Sequence, residues 1–149
     1  MVRIAGPASA TDPEWLALRL RLWPSEKEAG LRHDMADMLS RGHFVRLAYA
    51  VGGAAIGFVE ASQRSDYVNG TSTSPVAFLE GLYVDPAYRR TGVARALVDE
   101  VERWAATRGC VELASDSPLE NGVAHAAHRA LGFEETERVV YFLKRVRPG

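Results

Sequence analysis

The sequence predicts an α+β fold built on one mixed, mostly antiparallel sheet with flanking helices. Three observations carry that reading. Phe44 to Val51 and Ala54 to Gln63 are strand-like runs on either side of Gly52-Gly53, a two-residue turn suited to a hairpin. Val76 to Val84 and Val111 to Asp116 are further apolar runs separated by a helical pattern, which makes a parallel βαβ step at the centre. Helical periodicity also fills the segments before the hairpin and after Asp116.

Val2 to Ala5 reads as a short first strand. Asp12-Pro13-Glu14 then supplies an N-cap, a proline at the first helical position and an early acidic residue, so a helix runs to about Leu22. Leu31, Met35, Met38 and Leu39 share one face of a second helix, with Gly42 as its terminator. The hairpin follows, then the central strand Val76 to Val84, which Asp85-Pro86 ends because proline lacks an N–H. Val93, Leu97, Val98, Val101 and Trp104 recur at helical spacing, Asp99 and Arg103 form an i,i+4 pair on the wet side, and Gly109 is the stop. Val111 to Asp116 is the next strand, Asn121 to Leu131 the last helix, and Glu137 to Lys144 a strand completing the sheet.

The chain has 149 residues, one domain's worth, enough to bury roughly 70% of the unfolded surface. With 47% hydrophobic and 25% charged residues it is an ordinary globular composition, not a disordered one. A net charge of −1 gives nucleic acid no general attraction. No apolar run approaches a membrane span, and the first residues lack a secretory segment, so the expected location is the cytoplasm. The single cysteine, Cys110, reads as a small buried core residue. Ser62 to Pro75 is a polar stretch long enough to be a working loop.

Between the central strand and its helix lies Arg89-Arg90-Thr91-Gly92-Val93-Ala94. A helix starting at Gly92 leaves its opening amides without intrahelical acceptors, and the adjacent arginines add charge, so the turn suits a pyrophosphate. The plain alternative is a solvated basic turn. It is not a Gly-x-x-x-x-Gly-Lys-Ser/Thr loop and lacks the three glycines of the dinucleotide fingerprint.

Arg89-x-x-Gly92-x-Ala94, after Glu80-Gly-Leu-Tyr-Val-Asp-Pro and before a helix, resembles the acetyl-CoA loop of the GCN5-related N-acetyltransferases (GNAT). Asn121 and Leu131-Gly132-Phe133-Glu134 resemble later pieces of that family in the right order. The small aminoglycoside 6'-N-acetyltransferases of this family are resembled over nearly the whole chain, through Leu22-Trp23-Pro24, Asp66-Tyr67-Val68-Asn69-Gly70, Ser74-Pro75-Val76, Phe78-Leu79-Glu80-Gly81, Ala114-Ser115-Asp116 and Gly132-Phe133-Glu134-Glu135-Thr136-Glu137-Arg138-Val139.

The resemblance implies the GNAT fold, its sheet splayed at the middle where the pantetheine arm enters, and acetyl-CoA as co-substrate without a metal. It implies a cofactor site of Leu82, Tyr83, Val84, Arg89, Arg90, Thr91, Gly92, Val93, Ala94, Arg95 and Asn121. It places Trp23, Glu26, Tyr67, Glu80, Asp116 and Glu137 around an aminoglycoside, and a homodimer as the common assembly. Such a polycation needs carboxylates for its ammonium groups and aromatic faces for its sugars.

Glu80 and Asp116 are the candidate bases for the attacking amine. An acid inside the apolar strand Val76 to Val84 is costly to bury unless paired or turned to a cleft. Trp23 has a core reading, Asp116 a capping one and Glu137 a solvated one. Where many relatives carry a tyrosine that protonates the departing thiolate, this chain has His128, an acid by its chemistry but also a wet helix-face residue by its context. The competing functions are acetylation of a polyamine, another amino sugar or a peptide amine, and a non-catalytic acyl-CoA-binding module.

Overall fold

Asp12 caps α1 (Pro13–Leu22): its carboxylate accepts from the Glu14 amide at 2.9 Å, and Pro13 takes the first helical position. Helix α2 (Glu28–Ser40) follows, with Leu31, Met35 and Met38 all buried as their spacing predicts. The computed structural model describes residues 2–149. They form two compact units, the first ending at Asp116 and the second running Ser117–Gly149.

The first unit holds a five-stranded sheet in the order β1 (Arg3–Ala5), β2 (Phe44–Tyr49), β3 (Ala55–Arg64), β4 (Val76–Val84) and β5 (Leu113–Ala114). The first four strands pair antiparallel, and β5 runs parallel to β4 after the crossover helix α3 (Val93–Thr107). This is the mixed, mostly antiparallel sheet that the sequence predicts. Helices α1 and α2 cover one face, where Trp15, Leu18, Leu31 and Met35 pack with Val45, Leu47 and Phe58. Each such buried side chain contributes about 1.5–3 kcal/mol. Phe44, offset by one from Val45, stacks on Trp104 of α3 at 5.2 Å, so α3 lies on the opposite face. Cys110 is buried against Ala77 and Ala105, and burial pushes its thiol pKa up.

Four details depart from the sequence reading. The hairpin turns through residues 51–53 instead of Gly52-Gly53 alone: the Ala50 amide donates to the Ala54 carbonyl and the Gly53 amide to the Ala50 carbonyl, both at 2.8 Å. The longer turn goes with a register shift between Ala48 and Tyr49. Strand β5 keeps only Leu113 and Ala114 of the expected Val111 to Asp116, because its ladder to β4 extends no further than Phe78. Arg103 pairs with Glu100 at 2.7 Å and not with Asp99, since three residues back is as near on a helix as four.

The expected strand Glu137 to Lys144 is absent. Residues 134–149 take no helix or strand, and Tyr141, Phe142 and Leu143 are more than four-fifths exposed. A strand exists only through a hydrogen-bonded neighbour, and the second unit holds no strand of its own. What the second unit does contain is α4 (Gly122–Ala130), capped by Asn121, whose Oδ1 accepts from the Ala124 amide at 3.0 Å.

Candidate active site

The site begins with a count mismatch between β3 and β4. Glu60 faces Gly81 and Ala61 faces Leu79, which leaves Glu80 as an extra residue with no partner on β3. Such a bulge bends the strand and re-aims its side chains. Residues directly opposite in an antiparallel pair share a face, so Phe78 opposite Ser62, Gly81 opposite Glu60 and Tyr83 opposite Phe58 all lie on the face covered by α1. Without the extra residue, strict alternation would send Gly81 and Tyr83 to the other face.

Glu80 joins that same face. Its Oε2 accepts from the Ser62 hydroxyl at 2.5 Å, and one guanidinium nitrogen of Arg64 reaches Oε1 at 3.2 Å and Oε2 at 3.0 Å. Arg64 in turn lies 3.6 Å over the Phe78 ring. The carboxylate is therefore both paired and partly open to solvent, the two conditions under which an acid is tolerated in an apolar strand.

Beside it is a cavity of about 300 Å³ lined by Arg19, Trp23, Asp34, Asp37, Met38, His43, Glu60 and Glu80. Trp23 walls one side. Its ring packs edge-on to Phe58 at 6.2 Å and under the Arg19 guanidinium at 4.8 Å. A Cβ on Gly81 would come within 3.0 Å of the Trp23 ring, so the backbone must be bare there for the tryptophan to seat. Deeper still, Glu60 accepts from Arg19 Nε at 2.8 Å and from the Trp15 indole N–H at 2.8 Å, with both charged partners almost fully enclosed. Burial pushes the Glu60 carboxyl pKa up, against the pull of Arg19 and Trp15 toward the ionised form. Glu60 is thus committed to Arg19 and Trp15 in the cavity wall, and Glu80 is the strand acid there that keeps access to solvent. A larger cavity of about 460 Å³ shares His43 with it, but Arg41 and Arg108 give it the wrong sign for a polycation.

On the other side of β4, the ladder to β5 ends at Phe78 opposite Ala114, and Leu79 to Val84 run on without a β5 partner. The two central strands part there, which is the splay that the resemblance implies. Just beyond the end of β4, Arg89 Nε donates to the Val84 carbonyl at 2.9 Å and the Thr91 hydroxyl donates to the Tyr88 carbonyl at 2.5 Å. Arg90 and Gly92 both take the left-handed conformation, with φ of 63° and 89°. Gly92 starts α3 without a side-chain cap, leaving the opening of the helix to an anion. Alternating backbone of this kind turns amides into one concavity, and these residues fit a pyrophosphate. Arg89 and Arg90 are both exposed, and Arg89 also braces the turn through its bond to Val84.

The remaining expected residues are scattered in their setting. Glu26 is exposed in the turn between α1 and α2 and does not line the cavity. Tyr67 is 74% exposed on the loop after β3, next to Val68, which is buried with Val76 and Phe78. That loop is fastened by Glu112, whose carboxylate accepts from the Ser72 amide at 3.0 Å and the Thr73 amide at 2.8 Å, and also takes the Thr73 hydroxyl. These bonds hold the Glu112 carboxyl below the usual carboxylate range, the Thr73 hydroxyl contributing most. Asp116 is exposed just past β5 and does not cap a helix, a task Asn121 performs. Asn121, His128 and Glu137 lie in the second unit. His128 Nδ1 is 2.7 Å from the Ala124 carbonyl of its own helix, and its ring meets Phe133 edge-on at 5.2 Å.

Sequence reasoning missed Ser62 and Arg64, which grip Glu80, and Asp34, Asp37 and Glu60 in the cavity wall. For Glu60 and its neighbours a signal existed: Glu60, Ser62 and Arg64 alternate inside an apolar strand, the same anomaly that singled out Glu80. Among the described residues no cluster of His, Cys, Asp or Glu is placed to hold a metal ion, and no helix is long and apolar enough to cross a membrane.

Residues 13–133 match the model of the acetyltransferase (GNAT) family. The chain is 54% identical over 134 residues to an aminoglycoside N(6')-acetyltransferase type 1 of Acinetobacter genomosp. 13, covering 89% of this chain and 91% of that one. It is 50% identical over 149 residues to one from Stenotrophomonas maltophilia, covering 99% and 94%. Among solved structures, the aminoglycoside 6'-N-acetyltransferase AAC(6')-Ih of Acinetobacter baumannii superposes with a TM-score of 0.91 at 49% identity, over 98% of this chain and 99% of that chain. AAC(6')-Iy in complex with the bisubstrate analogue CoA-S-monomethyl-acetylneamine superposes at 0.90 with 43% identity, over 98% and 99%. With a splayed sheet, an anion-binding helix start and a family match across most of its length, the chain belongs to the GNAT acetyltransferase family.

Proposed function

We infer that the chain transfers the acetyl group of acetyl-CoA to the 6'-amine of aminoglycosides. The observation that carries this reading is Glu80, which stands on the β4 bulge between the splayed edge and an acidic cavity walled by Trp23. Relatives at 50–54% identity bear that activity in their names.

Glu80 removes a proton from the substrate ammonium, directly or through a water. The freed amine attacks the thioester carbonyl, the new N–C bond forms as the C–S bond breaks, and coenzyme A leaves as its thiolate and takes up a proton. Backbone N–H groups of Leu82 to Val84, on the strand edge without a β5 partner, are candidates to polarise the carbonyl, a contribution of about 2.7–4 kcal/mol per well-aimed donor. Arg90, Thr91, Gly92, Val93, Ala94 and Arg95 cradle the pyrophosphate, with Arg89 bracing the loop. Trp23 and Tyr67 offer faces to the sugars, while Asp116, Glu26 and Glu137 supply further carboxylates. Holding both reactants in line is worth up to about 7–11 kcal/mol, so positioning outweighs any one acid or base. His128 is engaged with its own helix and Phe133, which favours departure of the thiolate without a dedicated protein acid.

The family match crosses the boundary at Asp116, which supports one acetyltransferase domain over the whole chain. We propose a cytoplasmic homodimer. The apolar run Val139 to Leu143 is exposed, and pairing with a second copy is the simplest way to cover it. A monomeric mass by light scattering at micromolar concentration overturns the dimer.

Turnover of acetyl-CoA is to be measured against kanamycin-like compounds with and without a 6'-amine, polyamines and peptides. Activity confined to the 6'-amines is expected. Activity on peptides or polyamines alone overturns the assignment.

A further inference from the structure

We infer that Arg64 is a built-in competitor for the acceptor's ammonium group at Glu80. This rests on the reading of Glu80 as the residue that meets the acceptor amine.

The ion pair is built to let go. A single guanidinium nitrogen of Arg64 serves both carboxylate oxygens, at 3.2 and 3.0 Å, whereas the strong form of this pair uses two nitrogens in parallel. Its side chain is 42% exposed, so water can take over its donors. The guanidinium also has a resting place independent of Glu80, the face of Phe78 at 3.6 Å. Ser62, by contrast, holds Glu80 from the adjacent strand through a neutral hydroxyl that no cation needs to displace.

The other side of the carboxylate opens on the cavity with Asp34 and Asp37. Two cations cannot crowd one carboxylate without mutual repulsion, so an incoming ammonium must loosen Arg64. Any acceptor ammonium exchanges one positive charge for another at Glu80, so every acceptor meets the cost of loosening Arg64. Asp37 in the cavity wall also has an internal partner in the free protein, Arg41 at 3.0 Å.

The test is calorimetry on the coenzyme-A-bound protein, comparing a kanamycin-type aminoglycoside with the methyl glycoside of 6-amino-6-deoxyglucose, an acceptor with one ammonium. Arg64→Met should tighten both ligands, the one-ammonium ligand about two- to fivefold, the range of a half-exposed ion pair. Arg64→Lys should bring the original affinities back. Unchanged or weakened binding of either ligand to Arg64→Met overturns the inference, and so does the same tightening by Arg64→Met in the Glu80→Gln background. Glu80→Gln separates the two claims. If it leaves both affinities unchanged, Glu80 does not meet the acceptor and the reading beneath fails. If it weakens them while Arg64→Met shifts nothing, only the competitor role is lost. Thermal unfolding of each variant guards against a folding defect.

Discussion

Ser62 and Glu80 sit across a bulge, 2.5 Å apart, although they are not ladder partners: Ser62 is opposite Phe78, and Glu80 is opposite nothing. The inserted residue brings an acid from β4 onto the face where β3 already carries Glu60, Ser62 and Arg64. One strand irregularity thereby concentrates the polar chemistry of an otherwise apolar sheet face.

If Glu80 takes the proton, as proposed, Glu80→Gln should lower kcat/KM for a 6'-amine substrate by at least about a hundredfold, the lower end of general-base contributions. Asp116→Asn should also lose much of the rate. His128→Phe should lose little, since its ring is bonded within its own helix. Steady-state kinetics on the three variants checks the ranking, and the reverse order would falsify the assignment.

Glu60 and Arg19 are enclosed together, so removing one strands the other. Arg19→Met should destabilise the fold by about 3–5 kcal/mol in urea unfolding, and Arg19→Met with Glu60→Leu should recover much of that. The sign with pH follows from the raised Glu60 pKa. A carboxyl whose folded pKa lies above its unfolded value favours folding at low pH and loses that contribution as pH rises through the folded pKa. Without Arg19 to offset burial, the deficit of the single variant should therefore grow from pH 5 to pH 8. A deficit independent of pH counts against a buried, ionised Glu60.

Gly81 leaves room for the Trp23 ring, with a built Cβ only 3.0 Å from it. Gly81→Ala should shift the tryptophan, cost about 1–3 kcal/mol of stability as overpacking does, and raise KM for the aminoglycoside more than for acetyl-CoA. Trp23 fluorescence and the two KM values report it. Equal changes in both would point to general damage to the sheet.

Glu112 fastens the Tyr67 loop through bonds that depress its pKa. A depressed carboxyl contributes above its unfolded pKa and loses that contribution as pH falls through the folded one, so the loop should loosen only in acid. Glu112→Gln should mimic that state at neutral pH. Faster amide exchange at Ser72 and Thr73 in the variant is the expected observation, and unchanged exchange removes the role.

The order of helices and strands, the Asp12 cap, the parallel step and the anion-binding turn were legible in the sequence, because each rests on local periodicity, proline and glycine placement or helix-end chemistry. Glu80 stood out for a related reason, since an acid inside an apolar run is a local anomaly, whereas Trp23 was marked by the family resemblance. The bulge was not legible, since a bulge is a mismatch between two strands and neither strand carries it alone. Nor were Ser62, Arg64, Asp34 and Asp37 as parts of the site, for they join Glu80 only once β3, β4 and α2 are assembled. The last expected strand fails on the same ground. Val139 to Leu143 has the composition of a strand, but a strand is completed by its neighbour, and the second unit contains no other. Local chemistry thus determined which pieces form and where phosphate is welcome, while the register between strands decided which carboxylates line the cavity.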